Sequence, residues 1–352
     1  MKRASMTVAL LLAVAAGLFV IGASLVWGGP VRPPPLPGIA ESFRSIPLDG
    51  LPSPSTYAGS DGTPLVYRAY RPNEEPKGSV TLVHGSSASG VSMHPLASAL
   101  AAAGFLVFTL DMRGHGLSGV KGHIDHIGQL DDDLAAFVKA VQPPSPSTLA
   151  GFSSGGGFAL RVAGGNRQEL FGSYLLLSPF LSQAAPNQRP ASGGWVSVGI
   201  PRIVALSVLN AVGISALNKL PVTAFALDDR ARAILTPTYD FNLASNFRPR
   251  SDYSADIRSA RAPRAVLAGS ADEAFATREL AGIFRSDQDQ GWTVQLLPGI
   301  GHASLILDAT AIAAAVDVVR ALQRRRARRC SFNSADREPD QPAATPDLHC
   351  TK

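Results

Sequence analysis

The sequence of 352 residues predicts an α/β fold. We expect a mostly parallel central sheet with helices on both faces, an inserted helical cap and an N-terminal transmembrane helix. Three observations predict this architecture. Uninterrupted apolar runs at 79–83, 105–110 and 264–269 have the length and composition of strands buried on both faces. Segments with helical spacing, such as 96–103, lie between such runs, and a long uncharged stretch opens the chain.

The first element is the apolar N-terminal stretch. Lys2 and Arg3 precede an uncharged segment from 4 to 31, whose most apolar part, 7–27, has 21 residues. As a helix this part spans roughly 31 Å, enough to cross a bilayer core. We expect a signal anchor in residues 1–30 with the folded body on the extracytoplasmic (periplasmic) side, since the positive charge lies before the segment. Cleavage as a signal peptide, giving a secreted protein, is the alternative.

The next boundaries follow from composition. Residues 31–54 form a Pro-rich linker, which we expect to be an extended spacer between membrane and domain. The folded domain is expected at 55–326, enough residues for one α/β domain with an insertion. That insertion, at about 180–260, is expected to be a cap of mostly helical segments. Residues 327–352 are polar and predicted to be disordered.

The strand at 79–83 runs directly into a His-Gly pair. His84-Gly85 is followed by Ser86, so a buried strand ends in a turn that exposes backbone N–H groups. In hydrolases that use a serine nucleophile on a parallel sheet, this turn supplies one donor to the oxyanion. We therefore expect the N–H of Ser86 to be one half of an oxyanion hole.

A Gly-x-Ser-x-Gly motif follows a later strand. The apolar run 147–150 leads into Gly151-Phe152-Ser153-Ser154-Gly155, and small, helix-compatible residues follow. A strand that turns this sharply into a helix exposes its serine hydroxyl and directs the next backbone N–H at a developing oxyanion. The motif alone is a weak signal, but its position after a strand favours Ser153 as nucleophile and Ser154 as the second oxyanion donor.

A serine nucleophile of this kind acts in a triad with a histidine and an acid. These two residues are expected downstream, in the order acid and then histidine. Asp272 follows the strand at 264–269, and its role would be to accept the Nδ1–H of the histidine. Its neighbour Glu273 is the main rival for that role. His302 follows the apolar strand at 292–297 and is the expected general base for Ser153.

These motifs resemble one known family. The chain is similar, over roughly 65–320, to the lysophospholipase and monoacylglycerol lipase branch of the α/β-hydrolases, which is also grouped with serine aminopeptidases. The resemblance implies an α/β-hydrolase fold and cleavage of lipid esters. Phe152 and Ser154 replace the usual His and Met of the elbow, and the loop 86–89 lacks the usual Gly-Glu pair. The residues that carry the resemblance are His84-Gly85, Asp111-x-Arg113-Gly114-His115-Gly116-x-Ser118, Gly122-His123-Ile124-Asp125 and Asp132-Asp133-Leu134.

A histidine-rich segment raises the question of a metal. His123-x-Asp125-His126 resembles part of the ligand set of dinuclear metallohydrolases, which needs a further histidine two residues earlier. Lys121 occupies that position, and a protonated lysine is no metal ligand. We expect neither a metal nor an organic cofactor.

Within the cap, residues 203–218 carry no charge. They are short for a membrane span, so two interpretations remain open: an ordinary buried helix, or a helix that lines an acyl-chain pocket or touches lipid. The charged groups nearby, including 239–240 and 248–250, are expected to be solvated.

The C-terminal segment is strongly basic. Five arginines in 324–329 supply much of the net charge of +5, and no other basic face recurs, so nucleic acid binding is not expected. The cluster either lies on anionic lipid or ends the last helix favourably. Cys330 and Cys350 form a possible disulfide in an oxidising compartment.

Together these features predict a membrane-tethered serine hydrolase that cleaves carboxylic esters. Its partners would be a small-molecule acyl ester or lipid and, through the N-terminal helix, the membrane. The resemblance implies a lysophospholipid or monoacylglycerol substrate. Acyl transfer and the hydrolysis of small esters or peptides would use the same triad and remain open. A non-catalytic binding module with the same fold is the rival from another class.

Overall fold

A computed structural model describes residues 2–36, 46–285 and 291–335. Eight strands form the central sheet in the order β1-β2-β4-β3-β5-β6-β10-β11, and three more form a small separate sheet. The strands are β1 Ser55–Ala58, β2 Pro64–Tyr70, β3 Ser79–Val83, β4 Leu106–Leu110, β5 Ser147–Phe152, β6 Ser173–Leu177, β7 Val196–Val198, β8 Pro221–Phe225, β9 Thr238–Asp240, β10 Arg264–Gly269 and β11 Trp292–Leu297.

Eleven α-helices surround the sheets in the described residues. They are α1 Lys2–Trp27, α2 His94–Ala102, α3 Gln129–Val141, α4 Ser154–Ala163, α5 Ile200–Ala211, α6 Asp229–Ile234, α7 Phe241–Asn246, α8 Tyr253–Ser259, α9 Leu280–Arg285, α10 Ser304–Leu307 and α11 Ala309–Ala335. Short 3₁₀ helices occupy Gly90–Met93, Gln168–Leu170, Pro190–Ser192 and Thr277–Glu279.

The central sheet is parallel from β4 to β11, while β1 and β2 are antiparallel additions at one edge. Every residue of β3, β5, β6 and β10 is buried, because helices cover both faces. Two apolar clusters, one on each face, form the core. The predicted fold class is therefore confirmed. The carboxyl ends of β3, β5, β10 and β11 meet at one edge, which gathers the loops that follow them.

The cap lies between β6 and β10 and contains a sheet as well as helices. Strands β7, β8 and β9 pair antiparallel, with α5 between the first two. The expectation of mostly helical segments missed this sheet. Its physical reason is local: β8 is a short β-branched and aromatic run that is buried from Val222 to Phe225, and such a run suits a strand better than a helix.

Helix α5 combines the two interpretations of the uncharged cap segment. Ala205 and Leu206 pack inward, while Ile200 and Val204 remain about half exposed. Ile203 lines a cavity between the central sheet and the cap. The helix is therefore a pocket wall with an exposed apolar outer face.

The end of α1 is docked on the cap. Met6–Trp27 is long and apolar enough to cross a membrane, with a mean hydropathy of 2.6. Arg202 of α5 donates from Nε to the carbonyl of Leu25 (2.8 Å) and from Nη2 to that of Val26 (3.0 Å). These are two of the last carbonyls of α1, which lack partners within the helix, so the guanidinium caps it.

The described part of the Pro-rich segment, which was expected to be an extended spacer, contacts the cap. The N–H of Leu36 donates to the carbonyl of Ala226 in the cap (3.1 Å), and residues 28–29 lie against Arg202. Backbone groups that find acceptors on the cap hold this part of the segment in place. Residues 37–45 of the predicted linker lie outside the described residues.

The last helix is longer than the sequence analysis expected. Helix α11 continues to Ala335, beyond the predicted domain boundary at 326. Arginine and alanine are good helix formers, so the basic cluster extends the helix instead of opening the predicted disordered tail. Residues 336–352, including Cys350 of the predicted disulfide, lie outside the described residues.

Candidate active site

Ser153 occupies a strained turn between β5 and α4. Its φ of 55° and ψ of −117° are unusual for a residue with a side chain, and such strain is typical of functional turns. The turn needs glycine on both sides, because a Cβ at Gly151 would collide with the carbonyl of Gly155. A Cβ at Gly155 would in turn collide with the carbonyls of Val83 and His84. The motif spacing is therefore a packing requirement.

Hydrogen bonds fix the backbone of Ser153. Its N–H donates to the carbonyl of Leu177 (2.9 Å), and its own carbonyl accepts from the N–H of Phe180 (3.0 Å). Only 7% of the residue is exposed, and it lines the same cavity as His302. The predicted nucleophile and general base therefore share one enclosed space.

His302 and Asp272 form a buried pair. The Nδ1 of His302 lies 2.8 Å from Oδ2 of Asp272, so the imidazole donates from Nδ1 and leaves Nε2 free to accept a proton. The other carboxylate oxygen of Asp272 accepts from the N–H groups of Ala274 (2.9 Å) and Phe275 (2.8 Å). These bonds fix both the position of the carboxylate and the tautomer of the histidine.

Two opposing effects set the pKa of Asp272. Burial acts to raise the pKa, but the charge and hydrogen bond of His302, together with the N–H of Phe275, outweigh it and hold the pKa below the ordinary value. Asp272 is therefore ionised at neutral pH, as a carboxylate that orients and stabilises an imidazolium must be.

The rival acid, Glu273, has a different position. Its Oε2 accepts from the backbone N–H of His302 (2.9 Å), so it secures the histidine loop and does not contact Nδ1. The rings of Phe152 and Phe275 lie 4.7 and 5.1 Å from the imidazole, between ring centroids, and enclose it. Geometry thus favours Asp272 over Glu273 as the partner of the imidazole.

The predicted oxyanion donors both border the cavity. Ser154 is the first residue of α4, where helix N–H groups have no intrahelical acceptor. Ser86 lies one residue after Gly85. A Cβ added at Gly85 would lie 3.3 Å from the Cβ of Ser153, so the loop after β3 passes directly beside Ser153. The side-chain oxygen of Ser86 accepts from Nε1 of Trp195 in the cap (3.1 Å).

The cap holds the next residue of this loop, Ser87, which has a left-handed φ of 68°. Its N–H donates to the hydroxyl oxygen of Tyr239 (2.6 Å), and its Oγ donates to the carbonyl of Thr236 (2.7 Å). The N–H of Thr236 donates back to the carbonyl of Ser87 (2.8 Å). Cap residues therefore support the loop that carries Ser86, one of the two predicted oxyanion donors.

Tyr239 is in turn tied to a motif histidine. The Nδ1 of His115 faces the carbonyl of Arg113 (3.2 Å) and must donate to it, which leaves Nε2 to accept from the Tyr239 hydroxyl (2.6 Å). Burial, followed by the nearby His84, holds the pKa of His115 well below its ordinary value, so this imidazole is neutral. Burial likewise raises the pKa of Tyr239.

The other family motifs are structural. Arg113 binds Asp133 through Nε (2.7 Å) and Asp61 through Nη2 (2.8 Å). His123, from the segment weighed as a metal site, bonds Asp240 (2.5 Å) and Asp125 (3.2 Å). Within the described residues, no group of three or more His, Cys, Asp or Glu side chains is placed to hold a metal.

A partly open cavity lies between the sheet and the cap. Aromatic and aliphatic side chains form most of its wall, and polar groups converge at the Ser153 end. Such a cavity suits an acyl chain with a polar reacting group.

Three cap residues at this site were missed by the sequence analysis. Trp195 carried no assignment, and Tyr239 and Arg248 were expected to be solvated. The structure shows that expectation to be wrong, because Tyr239 is 4% exposed and both it and Arg248 line the cavity. The available signal was local: both lie beside an aromatic stretch, Phe241 to Phe247, that a solvated loop would not contain.

Comparison with known proteins identifies the family of the chain. The model of the family "Serine aminopeptidase, S33" matches residues 74–308. A monoacylglycerol lipase of Mycolicibacterium smegmatis is 36% identical over 109 residues, which are 30% of this chain and 39% of that protein. The human monoglyceride lipase is 30% identical over 142 residues, 39% and 46% of the two chains. The chain thus spans less than half the length of these relatives.

Two solved structures share the fold. A soluble variant of the Saccharomyces cerevisiae monoglyceride lipase, in complex with a substrate analogue, has a TM-score of 0.59 at 17% identity, covering 80% of this chain and 98% of that one. The monoacylglycerol lipase of Paleococcus ferrophilus has a TM-score of 0.55 at 19% identity, covering 72% and 97%. Because the family match covers more than half of the sequence, this chain belongs to the serine aminopeptidase (S33) family of α/β-hydrolases.

Proposed function

We propose that this protein is a membrane-tethered serine hydrolase that cleaves carboxylic esters of lipids. One observation carries the proposal: Ser153, on a strained elbow, shares an enclosed cavity with His302, whose Nδ1 is held 2.8 Å from a buried, ionised Asp272. This combination is the one that nucleophilic acyl transfer requires.

The reaction begins when the Ser153 hydroxyl attacks the ester carbonyl and His302 accepts its proton at Nε2. Asp272 stabilises the resulting imidazolium through its bond to Nδ1. His302 then returns the proton to the departing alcohol, which leaves an acyl-enzyme on Ser153. A water molecule, activated by the same imidazole, releases the acid and restores the hydroxyl.

The tetrahedral intermediates carry a negative oxygen, and two backbone N–H groups are available for it. These are the N–H of Ser154, at the start of α4, and the N–H of Ser86, on the loop beside Ser153. Removing one such donor in a serine protease costs about 3–4 kcal/mol of transition-state stabilisation. The oxyanion hole would therefore supply a large part of the rate enhancement.

The lipid substrate class rests on three supports. The cavity wall is mostly apolar and aromatic. The relatives and solved neighbours named above act, by their names, on monoacylglycerols. Helix α1 would hold the cavity close to a bilayer, with the catalytic body outside the cytoplasm. A monoacylglycerol or a lysophospholipid fits these conditions, since each has one acyl chain and one polar head.

The Ser153→Ala variant tests the proposal. We expect it to lose all measurable turnover of p-nitrophenyl acyl esters and all labelling by a fluorophosphonate probe, because no other group replaces the hydroxyl. Ser154→Ala is the matched control, since it removes a neighbouring hydroxyl and keeps the backbone N–H. Turnover by folded Ser153→Ala protein would remove Ser153 from the mechanism, and failure of the wild-type protein to react with the probe would end the hydrolase assignment.

A further inference from the structure

Arg248 is the arginine that lines the proposed active-site cavity. It follows Phe247 just after helix α7, and it borders the same space as Ser153 and His302. Its neighbour Pro249 packs against Gly157, because a Cβ on that glycine would lie 2.7 Å from the proline Cδ. Gly157 is one turn beyond Ser153 on the nucleophile's own helix. The position of Arg248 relative to the nucleophile is thus fixed by packing.

The guanidinium of Arg248 has no partner in the part of the chain that the structure describes. Its Nε is sealed from solvent without an acceptor, and no carboxylate pairs with it there. The paired cations nearby provide a contrast: Arg202 donates to three carbonyls, and Arg250 donates to Asp256 (2.6 Å). Burial, followed by the positive charge of Arg161, lowers the pKa of Arg248, so its cation is held under unfavourable conditions.

The neighbouring groups do not neutralise this charge. Arg161 is already paired through Nε with Asp131 (2.9 Å). Among the described residues that line the cavity, none is an Asp or a Glu, and the polar ones near Arg248 are neutral, such as Gln183 and Ser245. A partly buried cation with no counter-ion among the described residues therefore borders a mostly apolar space, and an arrangement of this kind lowers the stability of a free protein.

We propose that Arg248 binds an anionic oxygen group, a phosphate or a carboxylate, on the head of the acyl-ester substrate. This inference rests on the proposed function and deepens it, because it favours an anionic lysophospholipid over a neutral monoacylglycerol. A guanidinium presents paired N–H donors that match such oxygens and stays charged when partly desolvated. The ester would lie at Ser153, the acyl chain along the apolar wall, and the charged head at Arg248.

The test compares two substrates with one acyl chain, monooleoylglycerol and monooleoylglycerol phosphate, in the full-length protein. We expect Arg248→Gln to lower kcat/KM for the phosphate ester by about 10- to 100-fold, the loss typical of a charge-assisted hydrogen bond in an enclosed site. The value for the neutral ester should stay within about twofold. Arg248→Lys should recover part of the loss. Arg230→Gln, an exposed arginine of the cap, is the control with the same change of charge.

Two further measurements complete the test. The thermal stability of Arg248→Gln without substrate should equal or exceed that of the wild type, because the variant removes an unpaired cation; a marked loss would make Arg248 structural and overturn the inference. An equal fall in kcat/KM for both substrates, or no fall for either, would also overturn the inference. A further outcome would overturn it. If inorganic phosphate inhibits turnover of the neutral ester in the wild type but not in Arg248→Gln, and the enzyme shows no preference for the phosphate ester, then Arg248 binds a free anion and not the substrate head. Activity lost in Ser153→Ala bears on the hydrolase assignment alone.

Discussion

Removing the hydroxyl of Tyr239, a cap residue, should weaken the proposed catalysis, because this hydroxyl supports the loop after β3 that carries Ser86 and Ser87. In Tyr239→Phe, the N–H of Ser87 loses its acceptor at 2.6 Å and Nε2 of His115 loses its donor at 2.6 Å. Both groups are buried, and leaving a buried polar group unpaired costs about 1–3 kcal/mol. We therefore expect the free energy of unfolding to fall by about 2–6 kcal/mol, with the protein still folded.

The catalytic effect follows from the position of Ser87. It adjoins Ser86, the proposed oxyanion donor, and its left-handed φ of 68° is held in part by the bond to Tyr239. If the loop relaxes, the N–H of Ser86 no longer points at the oxyanion. Complete loss of one such donor costs about 100- to 1000-fold in kcat, which sets the upper limit. Because the bonds between Ser87 and Thr236 remain, we expect about a 10- to 100-fold fall in kcat with KM within about threefold.

The assay must separate this effect from simple destabilisation. Tyr70→Phe is the matched control, because Tyr70 also has a buried hydroxyl bonded to a histidine, Nδ1 of His94 at 3.0 Å, and lies outside the cavity. Affinity for a trifluoromethyl ketone, which places an oxyanion in the site, should fall in parallel with kcat in Tyr239→Phe alone. A folded Tyr239→Phe protein with wild-type kcat, or equal losses in the two variants, would refute the reasoning.

Two further outcomes follow from the described contacts. Asp272→Asn should lower kcat on the order of 10⁴-fold with little change in KM, measured with p-nitrophenyl esters, because the imidazole would lose the carboxylate that fixes its tautomer. The pKa of Asp272 is lowered in the folded protein, so this carboxylate contributes stability above the ordinary aspartate pKa. That stability is lost as the pH falls through the pKa of Asp272 in the folded protein. Asp272→Asn should therefore flatten the acid limb of a plot of stability against pH. Arg202→Ala should lower the free energy of unfolding by about 1–3 kcal/mol, seen as a lower melting temperature in detergent, because two carbonyls of α1 lose their donor. Arg32→Ala breaks an exposed ion pair with Asp229 and should change the melting temperature little. An unchanged melting temperature in Arg202→Ala would contradict docking of α1 on the cap.

The sheet and the residues at its carboxyl edge were predictable because each signal is local. Most central strands are largely apolar runs, and Ser153, Asp272 and His302 each follow a strand within a few residues. A parallel topology brings such loops together without any further information. The elbow glycines were equally accessible, since the spacing of Gly151 and Gly155 reflects a collision that any side chain would cause.

The cap was less predictable because its contacts join distant parts of the chain. Tyr239 contacts Ser87, 152 residues earlier, and Arg202 contacts Leu25, 177 residues earlier. Neither pairing leaves a periodic or compositional mark, so Tyr239 was expected to be solvated and Arg202 received no assignment. Arg248 was misjudged for a related reason: charge in a loop usually indicates solvent, and only the surrounding cavity shows otherwise.

The cap connects helix α1 to the candidate active site. Four hydrogen bonds join it to Ser86 and Ser87, from Trp195, Thr236 and Tyr239. At about 1 kcal/mol each, these four bonds alone contribute about 4 kcal/mol, so a cap swung fully away would be populated at less than about one part in a thousand. Such an opening would also remove the support of the loop that carries Ser86 and Ser87. Substrate entry with catalysis intact therefore requires a cap that stays attached at this loop while the cavity opens elsewhere along its wall.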